Sequence, residues 1–317
     1  MNKKTKISLV VSFRNEEDVI DDFITETTSI LKKIENLEYE IIFVDDDSTD
    51  NSLEKLIQYH IQDKRIKIIN LSRRFGTMES IMAGIKMSSG DAVINIDIDL
   101  QDPPSLIPEM IKRWREEGSE VVITTRLKRH GESIFKKTIS VIGYKILRFF
   151  SSIPIEENSG DFRLISRKVI NEYKNFSEVH PFFRFVVDFI GFKRSQIFYE
   201  RQSRRKGKSK MPFSFNMIFE FFEKSMMPFS NLPLRIILFF GIFSFLICAI
   251  VGIRTLYFYF TGATEISTTA IFVAILIFGS VQSLIIGILS IYIGSIYQET
   301  KKRPLYIINK VYGFDEK

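Results

Sequence analysis

The chain changes solvent partway along, and that change constrains its fold more than any other feature. Before Leu234 charged and apolar residues are interspersed, whereas Ile236–Ile253 runs 18 positions and Ile266–Gln298 runs 33 positions without a charged side chain. Each run is long enough to cross a hydrocarbon core of about 30 Å. Soluble helices of that length keep charge on at least one face. Two membrane spans are therefore expected, at about 235–258 and 269–297, within a segment 234–298. Between them Thr261–Ser267 holds Glu265 and no Lys or Arg, while the flanks carry Lys224, Arg235, Lys301, Lys302 and Arg303. Positive-inside bias places both flanks in the cytoplasm, against one exception at Arg254. Residues 299–317 read as a cytoplasmic tail.

The preceding residues alternate between strand and helix patterns. Ile7–Val11, Glu40–Val44, Ile66–Leu71 and Ala92–Ile96 read as buried strands. Glu16–Glu35, Ser52–Asp63 and Thr77–Met87 between them read as helices. Pro103–Pro104 marks a turn, Leu106–Glu117 a helix ended by Gly118, and Val121–Thr125 a further strand. This βαβα order predicts an α/β fold, a mostly parallel, Rossmann-like sheet with helices on both faces. Ile134–Phe150 mixes apolar residues with four cations and suits a helix lying on the domain or on a membrane surface. In Met211–Pro233 six phenylalanines are interleaved with Glu220, Glu223 and Lys224, the pattern of interfacial helices between a soluble domain at 1–210 and the spans. The basic N-terminus leads into a strand pattern instead of a signal-peptide core, so the first domain is expected in the cytoplasm.

A net charge of +6 suits an anionic partner: nucleic acid, anionic lipid or a phosphorylated substrate. The one cysteine, Cys248, sits in an apolar run, and His60, His130 and His180 have no ligand spacing. That excludes an intrachain disulfide and a Cys-based zinc site, and leaves carboxylate oxygen, hence Mg²⁺ or Mn²⁺, for any metal. Carboxylates gather where open α/β sheets bind ligands, after the strands. The run Asp97-Ile98-Asp99-Leu100-Gln101-Asp102-Pro103-Pro104 follows one strand, Asp45-Asp46-Asp47-Ser48-Thr49-Asp50 another, and Ser12-Phe13-Arg14-Asn15-Glu16-Glu17 the first. Asp97 and Asp99, one residue apart on an irregular strand end, can grip one cation that bridges two phosphates. Asp50 and Asn15 can equally serve as helix caps.

These residues resemble the family 2 glycosyltransferases of the GT-A fold, in the branch that uses polyprenyl phosphate. The likeness runs from about Ile7 to Lys210 and includes Asn15-Glu16, Asp45-Asp46, Ser72-Arg73-Arg74-Phe75-Gly76, the run from Asp97 to Pro104, and Ser159-Gly160-Asp161-Phe162-Arg163-Leu164. The two-span end resembles the bacterial members. The resemblance implies that Asp97, Asp99 and Gln101 surround the metal and diphosphate, and that Glu16, Asp45, Asp46 and Asp97 serve the nucleotide. It gives Asp161, Asp99 and Arg126 catalytic places, Asp161 beside the acceptor and sugar as base or as orienting group and Arg126 also against the phosphate or acceptor. Arg126 falls at a family arginine, although Thr124 replaces the glycine before it, and Arg204 and Lys210 fall in a phosphate-clamping loop. Ser12 and Arg14 depart from the family's usual proline and aromatic residue beside the nucleoside.

The resemblance further implies inverting transfer of a hexose from a nucleotide diphosphate sugar to undecaprenyl phosphate at the bacterial inner membrane, with UDP-glucose the leading donor. A nucleic-acid partner is not expected, and the spans could supply a homo-oligomeric interface. Three rivals stand beside this reading. A GDP-mannose-dependent polyprenyl-phosphate synthase shares every motif. A processive polysaccharide synthase shares the acidic ones, but its Gln-x-x-Arg-Trp signature is missing, since Met110 precedes Arg113-Trp114. A non-catalytic membrane scaffold predicts broken metal carboxylates, and Asp97, Asp99 and Gln101 are intact.

Overall fold

The computed structural model describes residues 4–129, 159–173, 183–201, 232–261 and 268–314. They form two compact units, one holding the described residues 4–129, 159–173, 183–201 and 304–314, the other 232–261 and 268–303. The expected helix at Ile134–Phe150 and the expected interfacial segment Met211–Pro233 lie outside the described residues.

The first unit is built on one eight-stranded sheet. β1 (Thr5–Phe13), β2 (Leu37–Asp45), β3 (Ile66–Leu71) and β4 (Ala92–Asn95) form its parallel half. Alternate residues of these strands go to opposite faces. Ile7, Leu9, Val11, Ile41 and Phe43 pack with α1 (Ile20–Leu31) and α4 (Ile107–Glu117). Val10, Ile42, Val44 and Ile69 pack with α3 (Thr77–Met87). Both faces being covered, the strands read as continuous apolar runs. Phe43 is gripped edge-on by Phe13 and Phe23, with ring centroids 6.3 and 6.0 Å away. α2 (Ser52–Gln62) connects β2 to β3, and Gly118, at φ 64°, ends α4 in the left-handed conformation that favours glycine.

The other half is mixed. β6 (Ser159–Ser166) runs antiparallel between β4 and β5 (Val121–Arg129), and β7 (Arg194–Arg201) lies parallel to β5 on the outer edge. The order is β7-β5-β6-β4-β1-β2-β3-β8. Only β6 and β8 run against the other strands of the sheet, so the carboxyl ends of β1, β2, β3, β4, β5 and β7, and the starts of β6 and β8 (Ile308–Tyr312), lie along one edge. α5 (Arg167–Tyr173) and α6 (Phe183–Ile190) complete the described part of this half.

Two elements differ from the sequence reading. The first helix begins at Ile20, not Glu16, because residues 14–17 are held as a loop against the β2–α2 connection. The segment expected as a tail contains β8 (Ile308–Tyr312), which pairs antiparallel with β3 and closes the sheet. In the second unit α7 (Leu232–Thr261) and α8 (Thr268–Lys301) are long and apolar enough to cross a membrane. Many of their described apolar side chains, Phe245, Phe260 and Leu284 among them, are exposed, a surface that lipid would cover.

Candidate active site

The carboxyl edge of the sheet is where backbone strain collects. Asn15 after β1 (φ 54°), Asp47 after β2 (φ 61°) and Leu100 after β4 (φ 56°) are non-glycine residues in the left-handed region. Such conformations persist where surrounding contacts over-determine them, and they cluster at functional sites. Here the contacts run between the loops. Asn15 N–H donates to Ser48 Oγ (3.0 Å), Thr49 N–H to Asn15 Oδ1 (2.7 Å), and Glu16 N–H to Ser52 Oγ (2.9 Å). Glu16 is thereby placed, half-buried, beside the β2 loop.

Asp45 and Asp46 are turned inward. Asp45 is fully buried; its Oδ1 accepts Ser48 N–H (3.0 Å) and its Oδ2 accepts Asn70 Nδ2 (2.8 Å). Burial raises its pKa, and these two hydrogen bonds oppose the rise. Asp46 accepts the N–H groups of Phe75 (2.6 Å) and Gly76 (3.1 Å), pinning the Ser72–Gly76 loop to the β2 end. Both therefore shape the loops of the expected nucleotide pocket, with their oxygens committed inside the chain.

The loop after β4 carries the charge. Leu100, buried and left-handed, turns the chain so that Gln101 N–H reaches back to Asp99 Oδ1 (3.1 Å). Asp97 is half-buried. Loss of solvation, joined by the charges of Asp102, Asp99 and Asp161, pushes its carboxyl up to about 7, against a smaller opposing pull from Arg201. Asp161 enters from β6, whose start is tied to β4 by Asn95 Nδ2 donating to the Asp161 carbonyl (3.0 Å).

Beside this cluster Asp102, 1% exposed, is compensated. Arg126 Nη2 donates to its Oδ2 (3.1 Å), the Tyr199 hydroxyl donates to its Oδ1, and Arg201 Nε lies 3.3 Å from Oδ1. Tyr199 also accepts from Arg126 Nε (3.0 Å). Burial and the Asp102 charge push the tyrosine up to about 12. Burial alone would lower Arg126; the Asp102 and Tyr199 contacts overcome it and raise it. Gly160 lets this happen, because a Cβ there would stand 2.8 Å from Arg126 Nη2.

The structure thus brings Asp97, Asp99, Gln101, Asp102, Arg126 and Asp161 to one part of the edge, and Glu16, Asp45 and Asp46 to the adjoining part. Arg204 and Lys210 lie outside the described residues. Sequence reasoning gave no role to Asp102, Tyr199 or Arg201. The Tyr199-x-Arg201 alternation, which puts both on one face of a strand, was the only local signal.

Among the described residues no three His, Cys, Asp or Glu side chains converge as a ready-made metal cage. What is present, the Asp97–Asp99 pair in a field of carboxylates, fits a hard divalent cation held by one or two protein carboxylates and completed by substrate phosphates.

The model of Glycosyl transferase family 2 matches residues 8–174. An uncharacterized glycosyltransferase of Bacillus subtilis, YkcC, is 39% identical over 321 residues, covering 100% of this chain and 97% of that protein. The bactoprenol glucosyl transferase of Shigella phage SfV is 36% identical over 307 residues, covering 96% and 98%. Among solved structures, glucosyl-3-phosphoglycerate synthase of Mycobacterium tuberculosis with Mn²⁺, UDP-glucose and phosphoglyceric acid aligns at a TM-score of 0.44 and 19% identity, over 64% of this chain and 73% of that one. Because the family model takes in the strands and loops that build the acidic edge, and the likeness to YkcC continues through both apolar helices to β8, this chain belongs to glycosyl transferase family 2 and is a glycosyltransferase.

Proposed function

We propose that the protein transfers a hexose, from UDP-glucose in the first instance, to undecaprenyl phosphate at the cytoplasmic face of the bacterial inner membrane, with inversion at the anomeric carbon. The observation that carries this is the end-to-end likeness to proteins named bactoprenol glucosyl transferase, spans included, at 36% identity. The acidic edge and the two apolar helices, long enough to cross a membrane, support this reading.

Asp97 and Asp99 would hold Mg²⁺ or Mn²⁺, with Gln101 beside them. When bound, the cation supplies charge to the departing diphosphate. Glu16 and the loops shaped by Asp45 and Asp46 receive the nucleoside. A phosphate monoester has a second pKa near 6, so at neutral pH much of the acceptor is already a dianion. Its oxygen attacks the anomeric carbon in line. The new carbon–oxygen bond forms as the bond to the diphosphate breaks, and the electron pair leaves with the nucleotide. Asp161 orients that acceptor or takes its residual proton. Arg126, held by Asp102 and Tyr199, and the basic Arg204–Lys210 loop offset the phosphate charge.

The test is transfer of label from UDP- and GDP-sugars into undecaprenyl phosphate by purified protein, with Mn²⁺ or Mg²⁺ and with EDTA. Metal-dependent labelling from UDP-glucose is expected. Labelling from GDP-mannose alone would replace the donor, and none from any donor would overturn the reading.

A further inference from the structure

The strand that follows the second apolar helix reaches into the candidate nucleotide pocket. β8 pairs with β3 at Ile68–Tyr312, Ile69–Val311 and Asn70–Lys310, then the register shifts so that Leu71 meets Ile308. Asn309 is the residue left over. Bulges of this kind re-aim a side chain, often beside an active site. Here Asn309 Nδ2 donates to Asn70 Oδ1 at 2.7 Å. Asn70 Nδ2 donates to Asp45 Oδ2 (2.8 Å), and Asp45 Oδ1 accepts Ser48 N–H (3.0 Å) in the strained loop that also holds Asn15.

The direction of this relay is fixed by its chemistry. An ionised carboxylate only accepts, so Asn70 must show Asp45 its amide nitrogen and turn its oxygen outward. Only a donor satisfies that oxygen, and Asn309 is the donor. The strand is anchored beyond the bulge, where Gly313 lies against the His60 ring and Lys67 Nζ sits 4.9 Å from the Phe314 ring centroid. The loop before it is anchored too, since Ser72 N–H donates to the Ile307 carbonyl (2.9 Å).

We infer that Asn309 is a positioning residue for the donor nucleotide: through Asn70 and Asp45 it sets the Asp45–Thr49 loop that receives the nucleoside. This rests on the donor pocket proposed above, and it makes a segment beyond both apolar helices part of nucleotide recognition.

The experiment is direct calorimetric binding of UDP to full-length protein in detergent with Mn²⁺, and donor KM against kcat in the transfer assay. Asn309→Ala should weaken UDP binding and raise donor KM about threefold, with kcat and acceptor KM near wild type. Asn309→Asp should do worse, about tenfold, because it offers Asn70 an acceptor and drives that amide to turn its oxygen toward Asp45. Lys310→Ala, on the same strand, should bind as wild type does. Two results overturn the inference: Asn309→Ala and Asn309→Asp both within twofold of wild type, or all three variants weakened alike together with a lower unfolding temperature. Wild-type protein that binds neither UDP nor GDP would instead sink the pocket itself, and this inference with it.

Discussion

The two ends of the sheet handle buried carboxylates in opposite ways. At the amino edge Glu40, 2% exposed, would be pushed up by burial. Hydrogen bonds from Ser8 Oγ (2.6 Å), Ser89 N–H (2.8 Å) and Lys67 Nζ (3.0 Å) instead hold it at about 2, with Lys6 Nζ 3.1 Å away. At the carboxyl edge Asp97 has carboxylates for neighbours and is pushed up to about 7. One acid is satisfied by its own chain, so its role is to hold strands together. The other lies among like charges that Arg201 offsets only in part, and carboxyl groups perturbed in that way gather at functional sites.

If this contrast is right, the two edges should fail differently. The largest effect is expected from Asp97→Asn or Asp99→Asn, which should lower metal-dependent transfer by roughly 10²–10³-fold while the protein stays folded. Turnover with saturating Mn²⁺, beside a thermal unfolding curve, checks both halves. Glu40→Gln should do the reverse. Losing the anion between Lys6 and Lys67 should cost about 2 kcal/mol, a discount on the usual figure for a broken buried pair because both lysines are partly exposed. Turnover per folded molecule should be unchanged. Equal loss of activity in both variants would erase the distinction.

The same contrast explains what the sequence could disclose. β3 and α3 were legible residue for residue, because their apolar periodicity is unbroken and bounded by Gly76 and Ser88. The start of α1 was misplaced because local helix propensity at Glu16–Val19 loses to contacts with residues more than 30 positions away. β8 was illegible: Ile-Asn-Lys-Val-Tyr is a strand only through its pairing with β3. In the site, Asp97 and Asp99 were legible as acids just after a strand, whereas Asp161 was reached only through the family resemblance. That Asp45 spends both oxygens inside the chain was not, since its partner Asn70 lies 25 positions on. The Asp102–Tyr199 contact spans 97 positions, and the Tyr199-x-Arg201 alternation does not name Asp102 as its partner.

Acid and base should sharpen the comparison next. Glu40, depressed below its ordinary value near 4.5, contributes stability above that value, and the contribution is lost as pH falls toward 2. Asp97, raised from about 4 to about 7, runs the other way. Between those values the folded state holds a proton that the unfolded state has released, so the metal-free protein loses stability as pH rises. Asp97→Asn should therefore raise the unfolding temperature of metal-free protein at pH 8 by a few degrees, and leave it nearly unchanged at pH 4. Unfolding curves in EDTA at the two pH values decide it. A lower temperature at pH 8 would mean that Asp97 is already compensated.

The smallest expected effect tests the boundary between the two kinds of acid. Asp102 belongs to the carboxyl edge by position, yet Arg126, Arg201 and Tyr199 surround it as the chain surrounds Glu40. Tyr199→Phe removes one donor to Asp102 and the acceptor for Arg126 Nε, leaving both guanidinium groups in place. If Asp102 is a support for Arg126, kcat/KM should fall about 3- to 10-fold, the scale of one hydrogen bond, with little change in metal requirement. A loss as deep as that of Asp97→Asn, with weaker Mn²⁺ dependence, would place Asp102 among the cation's own partners. The line between compensated and frustrated carboxylates would then have to be drawn through the Arg126 cluster instead of beside it.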